Sequence, residues 1–319
     1  MSLNLEELVS EGQFLESLLS DSKKEGLQIG ELLAIGGYCT VFATISDKGQ
    51  KCVLKVPWLP PCDCAEHPQL IEHGYGPIRV ELVSPTGPFS LRRAKEGKTA
   101  EQLMIEVAVH QRQNPSKQLA SLLAVINLGG RKCLLYERLE GNNLAWKINY
   151  WPEEAKELIP DLARALAELH ASFGPHGDLK PEHVFLTNNG PIFIDPLLST
   201  EWIGSVGYAL PFLLPDNKLR DLAALGQMIA HMWGAGFGWN GSLLHGLVNR
   251  NNGRFGRGYD LEKTEEQMHI LTEMIDEPVR QWVRDVGLAA WRKTLKPHKK
   301  LYESEDKLEE LITMLPPAF

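Results

Sequence analysis

The order of secondary-structure patterns along this 319-residue chain constrains its fold more than any other feature. Three short runs of β-forming residues, 27–35, 40–45 and 51–56, are separated by glycine and polar residues, which predicts an antiparallel meander. From Pro160 onwards apolar residues recur at helical spacing instead, and the run 219–232 is apolar on nearly every face. Strands followed by helices predict an α+β chain with two lobes, and a hydrophobic content of 43% is enough to fill both cores.

The same patterns divide the chain into three parts. Residues 5–19 carry a rough helical stripe of leucine and phenylalanine, which predicts an N-terminal helical extension over 1–24; a plain surface helix is the alternative. Residues 25–138 hold the predicted strands, with an insertion at about 57–98 that is rich in proline and glycine. Residues 139–319 are mostly helical, and the last helical patterns lie at 265–275, 279–288 and 305–314.

Charge and cysteine content exclude several classes of protein. The net charge is −8, from 33 basic and 41 acidic residues, so we expect no general attraction to nucleic acid or to an anionic membrane. No apolar run reaches the roughly 18 residues of a spanning helix, and the acidic N-terminus lacks the pattern of a secretory signal. Five cysteines, an odd number, indicate reduced thiols and a cytoplasmic protein. Nothing in the sequence predicts an oligomeric state.

Two aspartates, Asp178 and Asp195, stand 17 residues apart, each at the edge of an apolar strand-like run. Asp178 lies in the sequence His-Gly-Asp-Leu-Lys-Pro-Glu-His over 176–183. Phosphoryl transfer uses such a pair because one carboxylate can accept a hydroxyl proton while the other holds Mg²⁺ against nucleotide phosphates. Lys180, two residues after the first aspartate, can neutralise charge on the moving phosphoryl group. The pattern therefore predicts a phosphoryl-transfer site.

These residues resemble the catalytic loop and the metal-binding motif of the protein kinases. The resemblance implies that Asp178 is the catalytic base, that Lys180 stabilises the γ-phosphoryl group and that Asp195 chelates Mg²⁺. Leu-Lys-Pro at 179–181 is typical of kinases that act on serine or threonine. His183 replaces the family's asparagine, so it is predicted either to bind a metal, Mn²⁺ more readily than Mg²⁺, or only to hydrogen-bond the loop.

Three positions near this motif depart from the family pattern, and a fourth, Asp221, follows it. Gly177 stands where many kinases place an arginine that pairs with a phosphorylated activation loop, so control by that pairing is not expected. Pro196 and Leu197 replace the family's phenylalanine and glycine, and proline is expected to stiffen the segment. Asp221 resembles the aspartate at the start of the family's central helix, which ties down the backbone of the catalytic loop.

The first lobe carries a weaker match to the family's glycine-rich loop. By resemblance, Gly36, Gly37 and Val41 would contact the nucleotide, since glycine lets backbone amides approach phosphates. Only Gly36 stands at a glycine position of the family, because Ala34 and Cys39 occupy the other two. An ordinary Gly-Gly hairpin is the alternative for this segment.

Lys55 lies between apolar residues in a predicted strand, where a buried ammonium is costly unless an anion accompanies it. It resembles the family's strand-three lysine, which binds the α- and β-phosphates and pairs with a glutamate on the next helix. A capping box at 99–102 predicts the start of that helix. Glu106 resembles the paired glutamate, Glu101 is the second candidate, and a solvated helix carboxylate is the alternative.

The strand that begins at Cys133 ends in a polar turn that resembles the kinase hinge. By that resemblance Tyr136 is the gatekeeper, and the backbone at Glu137 and Leu139 hydrogen-bonds adenine. Within the insertion, four side chains that can ligate zinc have irregular spacing, so we predict no structural zinc there. They are Cys62, Cys64, His67 and His73.

The resemblance as a whole implies a two-lobed protein-kinase-like α+β fold, with an antiparallel N-lobe sheet, one main N-lobe helix and a mostly helical C-lobe. It implies an atypical bacterial-type Ser/Thr protein kinase that uses ATP with Mg²⁺, or Mn²⁺, to phosphorylate a protein. Two alternatives remain. The altered glycine loop, Pro196 and His183 favour an ATP-binding pseudokinase with a regulatory role. The shared His-Gly-Asp sequence favours a kinase of the aminoglycoside or choline type, whose acceptor is a small molecule.

Overall fold

The computed structural model describes six stretches of the chain: residues 16–35, 39–57, 100–198, 217–234, 272–288 and 304–315. The chain divides into two compact units. The first comprises Met1–Gln113 and Ala120–Arg138, and the second comprises Asn114–Leu119 and Leu139–Phe319. Among the described stretches, no helix combines the length and the apolar character needed to cross a membrane.

The first unit is built on a five-stranded antiparallel sheet in the order β1-β2-β3-β5-β4. Its strands are β1 (Leu27–Ile35), β2 (Cys39–Ser46), β3 (Lys51–Pro57), β4 (Leu122–Leu128) and β5 (Arg131–Glu137). The predicted meander is therefore confirmed as β1 to β3, with ends that shift by one residue. The sheet grows beyond the meander because β5 pairs with β3.

The two faces of this sheet differ in what covers them. On one face, Leu54 of β3 and Leu135 of β5 belong to a buried apolar cluster that also contains Leu18. Leu18 lies on a helix, α1, described over residues 16–24, within the predicted N-terminal extension. Because side chains alternate along a strand, Lys55 and Leu134 point to the opposite face. Helix α2 (Ala100–Gln113) packs on β3, β4 and β5 through its own apolar stripe.

The second unit is mostly helical, and its core surrounds Leu166, Leu225 and Trp282, none of which is exposed by more than 1%. Its helices are α3 (Leu144–Tyr150), α4 (Pro152–Glu157), α5 (Ile159–Ser172), α6 (Asn217–Met232), α7 (Val279–Val283) and α8 (Ser304–Met314). The predicted helices at 160–171, 219–232 and 305–314 are confirmed as α5, α6 and α8. The helix predicted at 279–288 starts as α7 and continues as a π-helical turn, Arg284–Leu288. Of the helix predicted at 265–275, only the last four residues are described: Thr272 is helical, and residues 273–275 form the turn that follows it.

A small antiparallel sheet in the second unit positions the residues of chemical interest. It contains β6 (Asn142–Asn143), β7 (Val184–Thr187) and β8 (Gly190–Phe193), in that order. The β7-β8 turn is held by Thr187, whose hydroxyl donates to the Gly190 carbonyl oxygen at 2.9 Å. Strand pairing places Val184 opposite Phe193, so the segments that precede β7 and follow β8 emerge side by side.

Candidate active site

The β7-β8 hairpin brings the two predicted acidic segments together. His183 ends a 3₁₀ turn, Pro181–His183, directly before β7, and Ile194 follows directly after β8. The Ile194 amide donates to the His183 carbonyl oxygen at 2.9 Å, which extends the ladder by one bond beyond the strands. As a result, Asp195 lies beside the loop that carries Asp178.

Four polar side chains around this junction are linked by distances of 4.0 Å or less. The Lys180 ammonium nitrogen is 3.9 Å from Asp178 Oδ2. His183 Nε2 is 4.0 Å from Asp195 Oδ2, and His183 Nδ1 is 3.6 Å from Asp178 Oδ2. All four side chains are half-buried. The predicted residues Asp178, Lys180, His183 and Asp195 thus form one cluster.

The hydrogen bond of His183 to the loop fixes the position of its proton. Nδ1 lies 2.9 Å from the backbone carbonyl oxygen of Asp178. A carbonyl oxygen only accepts hydrogen bonds, so Nδ1 is the protonated nitrogen. In the neutral ring, Nε2 then carries the lone pair. Nε2 is the nitrogen that lies 4.0 Å from Oδ2 of Asp195.

Asp195 is the only non-glycine residue in the described stretches that has a positive φ. Its φ is +59°, in the left-handed region. Aspartate tolerates this region better than most side chains, but the conformation still costs roughly 1 kcal/mol or more and depends on surrounding contacts. Strain of this kind is concentrated at functional sites.

Gly177 explains how the segment after Asp195 reaches the loop of residues 176–183. Its φ is +80°, and a Cβ placed on it would overlap the carbonyl oxygen of Leu197. The Leu197 amide donates to the His176 carbonyl oxygen at 2.7 Å, so the two backbones touch directly. No residue with a side chain fits at 177 unless residues 195–197 move. The absence of the family's arginine therefore has a local steric reason.

Asp221, the fifth residue of α6, anchors the loop of residues 176–183 from the core. Its carboxylate accepts hydrogen bonds from the His176 amide at 2.6 Å and from the Gly177 amide at 2.9 Å. His170 Nε2 on α5 lies 2.8 Å from the same carboxylate. Burial alone would raise the pKa of Asp221, but the hydrogen bond and electrostatic interaction with His170 and the hydrogen bond from the Gly177 amide together hold that pKa below its ordinary value. Asp221 is therefore an ionised carboxylate inside the core.

His176 is buried and neutral. Its Nε2 donates to the Ile194 carbonyl oxygen at 2.8 Å, and its Nδ1 accepts from the Asp178 amide at 3.3 Å. Burial lowers the pKa of His176 and outweighs the opposing attraction of the Asp221 and Asp178 carboxylates. The ring therefore links both acidic segments without carrying a charge.

In the first unit, Lys55 and Val41 lie directly opposite each other on β3 and β2. The Lys55 ammonium nitrogen is 4.9 Å from the centre of the Tyr136 ring, which is the geometry of a cation–π contact. Burial lowers the pKa of Lys55, opposed by the nearby Cys39. This half-buried cation has an aromatic neighbour and lies on the same face of the sheet as Val41.

The remaining predicted residues have varied surroundings. The side chain of Glu106 lies on the exposed side of α2, whereas that of Glu101 is half-buried. Glu137 is tied to Ser121, whose amide and hydroxyl donate to its Oε1 at 2.8 and 2.7 Å. Leu139 is half-buried at the start of a stretch of the second unit. Gly36, Gly37 and the four candidate zinc ligands of the insertion lie outside the described residues.

Sequence reasoning missed two of these contributors, His170 and Ser121. His170 could have been suspected, because it is the one strongly polar residue near the end of the apolar stripe of α5. Ser121 has no comparable signal, since its role comes from pairing with Glu137 across 16 residues. Both hold site residues in place.

Comparison with known proteins gives three findings. A model of the phosphotransferase enzyme family, APH, matches residues 67–175. The serine/threonine-protein kinase PkaB of Streptomyces coelicolor is 26% identical over 199 residues, which cover 53% of this chain and 48% of that protein. The chain thus spans about half the length of this curated relative. The solved structure of the MAP kinase LmaMPK10 of Leishmania major is similar with a TM-score of 0.55 at 14% identity, over 96% of this chain and 89% of that one.

The fold is similar to that of a protein kinase, and the sequence matches are to phosphotransferases. The chain has the kinase-like α+β fold predicted from its sequence, and the proteins that it matches are kinases and phosphotransferases. The match to the phosphotransferase family ends at residue 175, so it does not include Asp178 or Asp195.

Proposed function

We propose that the chain is an ATP-dependent phosphotransferase that transfers the γ-phosphate to a serine or threonine hydroxyl of a protein. The cluster of Asp178, Lys180, His183 and Asp195 on one hairpin is the observation that carries this proposal. Asp178 accepts the hydroxyl proton, and Lys180 offers positive charge to the phosphoryl oxygens next to it. Such catalysis consists mainly of positioning and charge stabilisation, so a braced loop suits it.

The chemistry of Asp195 and His183 fits a divalent cation. A carboxylate oxygen and an imidazole nitrogen are both metal ligands, and among the described residues no third His, Cys, Asp or Glu completes a protein cage. Mg²⁺ in kinases is typically held in this way, by few side chains, with water and phosphate oxygens as the other ligands. When bound, the cation neutralises charge on the nucleotide phosphates. The β7-β8 hairpin holds the segments that carry Asp195 and His183 side by side, so their ligand atoms face the same small region.

In the first unit, Lys55 is proposed to bind nucleotide phosphates. Its lowered pKa reflects a cation that burial destabilises, and an anionic phosphate would offset that cost. Val41, opposite Lys55, is proposed to contact the nucleotide base. By resemblance, Gly36, Gly37, Glu106 and the backbone at Glu137 and Leu139 complete the nucleotide contacts.

A small molecule is the second candidate for the acceptor. The match of residues 67–175 to the phosphotransferase family favours it, as does the His-Gly-Asp sequence with its tightly packed Gly177. Leu-Lys-Pro at 179–181 and the likeness to a relative named as a Ser/Thr protein kinase favour a protein acceptor. The acceptor therefore has to be tested directly.

Two measurements test the proposal. ATP with Mg²⁺ should raise the melting temperature, because a ligand of the folded state stabilises it by mass action, and Lys55→Met and Asp195→Asn should weaken that shift. Labelled γ-phosphate should then move to a protein acceptor such as casein, and Asp178→Asn should abolish transfer while it keeps the thermal shift. Transfer to an aminoglycoside or choline instead would establish the second candidate. A thermal shift without transfer to any acceptor would indicate a pseudokinase, and an equal shift in all variants would refute the site.

A further inference from the structure

We propose that His183 is a nitrogen ligand of the divalent cation and that it makes this site select a first-row transition-metal ion, such as Mn²⁺, over Mg²⁺. The inference rests on the proposed function, since it concerns the cation that Asp195 would hold. It goes further because it assigns the ligand atom and the class of metal. Three observations carry it.

The first observation is the division of labour between the two ring nitrogens. Nδ1–H donates to the Asp178 carbonyl oxygen at 2.9 Å, so this nitrogen braces the catalytic loop. A hydrogen bond from one ring nitrogen to a backbone carbonyl is how proteins commonly fix the tautomer of a metal-binding histidine. The loop bond thus presents the Nε2 lone pair as the ligand.

The second observation is the separation of the two ligand atoms. Nε2 of His183 and Oδ2 of Asp195 are 4.0 Å apart. Two ligands about 2.1 Å from one octahedral cation lie about 3 Å apart when adjacent and about 4.2 Å apart when opposite. The measured separation is close to that of opposite ligands, so a single cation can contact both atoms with small side-chain movements.

The third observation is that both ligands are held from behind. The Ile194 amide bonds to the His183 carbonyl oxygen at 2.9 Å, and His176 donates to the Ile194 carbonyl oxygen at 2.8 Å. Asp195, which follows Ile194 directly, has a left-handed backbone with φ of +59°. The pair is therefore preorganised, which favours a specific ion over a loose cloud of counterions.

The chemistry of the pair gives the selectivity. Mg²⁺ is a hard cation that prefers oxygen ligands and loses its water reluctantly, whereas first-row transition-metal ions, of which Mn²⁺ is the weakest binder, accept imidazole nitrogen more readily than Mg²⁺ does. Asparagine at this position would offer oxygen, and histidine offers nitrogen. Replacing an oxygen by a nitrogen ligand should thus weaken Mg²⁺ relative to Mn²⁺.

Electron paramagnetic resonance of Mn²⁺ bound to the full chain with a non-hydrolysable ATP analogue tests this directly. Spin-echo modulation should show the coupling of a directly bound nitrogen, and ¹⁵N labelling of histidine should change that coupling, which excludes nitrogen of the nucleotide as its source. In His183→Asn the histidine coupling should vanish. The Mg²⁺ concentration that displaces half of the Mn²⁺ should fall about tenfold, equivalent to about 1.4 kcal/mol.

Controls separate this inference from the proposed function. His110→Asn, on α2 of the first unit, should keep both the coupling and the Mg²⁺ competition of the wild type. If Mn²⁺ and nucleotide bind normally but no histidine coupling appears, His183 only braces the loop and the inference is wrong, while the proposed function stands. If neither cation nor nucleotide binds, the proposed function is refuted and the inference with it.

Discussion

At Gly177 the loop of residues 176–183 and the segment after Asp195 are so close that no room is left for a side chain. We predict that Gly177→Ala displaces residues 195–197, because the new methyl group would meet the Leu197 carbonyl oxygen. Phosphate transfer should fall at least about tenfold, and Mn²⁺ should bind more weakly, since a misplaced catalytic group costs that much or more. Steady-state kinetics and Mn²⁺ titration measure the two effects.

Gly190→Ala is the matched control. Gly190 also has a left-handed backbone, with φ of +101°, but no atom lies within 4 Å of the position of an added Cβ. It should lose only about 1 kcal/mol of stability from backbone strain and keep Mn²⁺ affinity. Equal loss of Mn²⁺ affinity in both variants would show that strain, and not the contact with Leu197, determines the effect.

The buried His176 predicts a loss of stability on mild acidification. Its pKa is lowered in the folded chain, so the unfolded chain takes up a proton near the ordinary value of about 6.5 while the folded chain does not. Unfolding then binds protons, and the free energy of unfolding falls as the pH drops below about 6.5, by up to about 1.4 kcal/mol per pH unit. Urea unfolding at pH 7.5 and 5.5 measures this slope.

His176→Gln should be less stable at pH 7.5 but should depend less on pH. Part of the slope should remain, because burial also lowers the pKa of His231, opposed by Glu182. A variant with the full slope of the wild type would mean that His176 does not titrate as described.

The site residues differ in how far their roles could be predicted from the sequence. Asp178, Lys180, His183 and Asp195 lie within 18 residues, and a local hairpin is enough to bring them together. The role of Gly177 could not be read, because its reason is a contact with Leu197, 20 residues away, that the sequence does not reveal. From the sequence, a glycine at 177 indicated only that the family's arginine is missing, and not that a side chain would be sterically excluded.

Helix α1 is an element whose two neighbouring leucines face different surroundings. Leu18 is 2% exposed and packs into the apolar cluster of the first unit, whereas Leu19 is 48% exposed. The helix is also tied down by Asp21, whose Oδ2 accepts from the Gly129 amide at 3.0 Å. Leu18 and Asp21 thus hold the described part of this helix, residues 16–24, against the rest of the first unit.

We predict that Leu18→Ala lowers the free energy of unfolding by about 2–4 kcal/mol, since it removes buried methyl groups and leaves a cavity. Leu19→Ala, one residue further, should change it by less than about 0.5 kcal/mol. Thermal or urea denaturation of the two variants measures the difference. Similar losses in both would contradict the packing of α1.

Elements were predictable where their pattern was long or regular. Strands β1 to β3 and helices α5 and α6 carry clear alternation or helical spacing over seven or more residues. Strands β7 and β8 have four residues each, too few for a period to register. The start of α3 depends on Asn143, whose Oδ1 accepts from the Trp146 amide at 2.9 Å, and a single asparagine is a weak signal for a helix.

At the scale of the whole molecule, the unfolding of the two units can be followed separately, because cysteine and tryptophan residues are distributed unevenly between them. All five cysteines precede residue 139, while seven of the eight tryptophans follow it. Cys39, Cys52 and Cys133 are buried cysteines of the first unit and form no disulfide within the described residues. Burial raises the pKa of Cys133 to about 12 and also raises that of Cys52, so these thiols should react slowly in the folded chain.

We predict that the buried thiols become reactive at lower urea concentration than the tryptophan fluorescence changes. Among the described residues, the buried apolar cluster of the first unit is smaller than that of the second, and a smaller core stabilises less. Thiol labelling and fluorescence over one urea series measure the two midpoints. Coincident midpoints would mean that the chain unfolds as a single cooperative unit.

The contact between Gly177 and the Leu197 carbonyl also limits how this chain can change by mutation. A side chain at 177 is sterically excluded while residues 195–197 follow their present path, so single substitutions there should be lost under selection for activity. An arginine able to bind a phosphorylated loop is reachable only together with changes near Leu197. In a mutant library with both segments randomised, variants at 177 should be recovered mainly as paired substitutions, a dependence that one backbone carbonyl imposes on the chain's evolutionary routes.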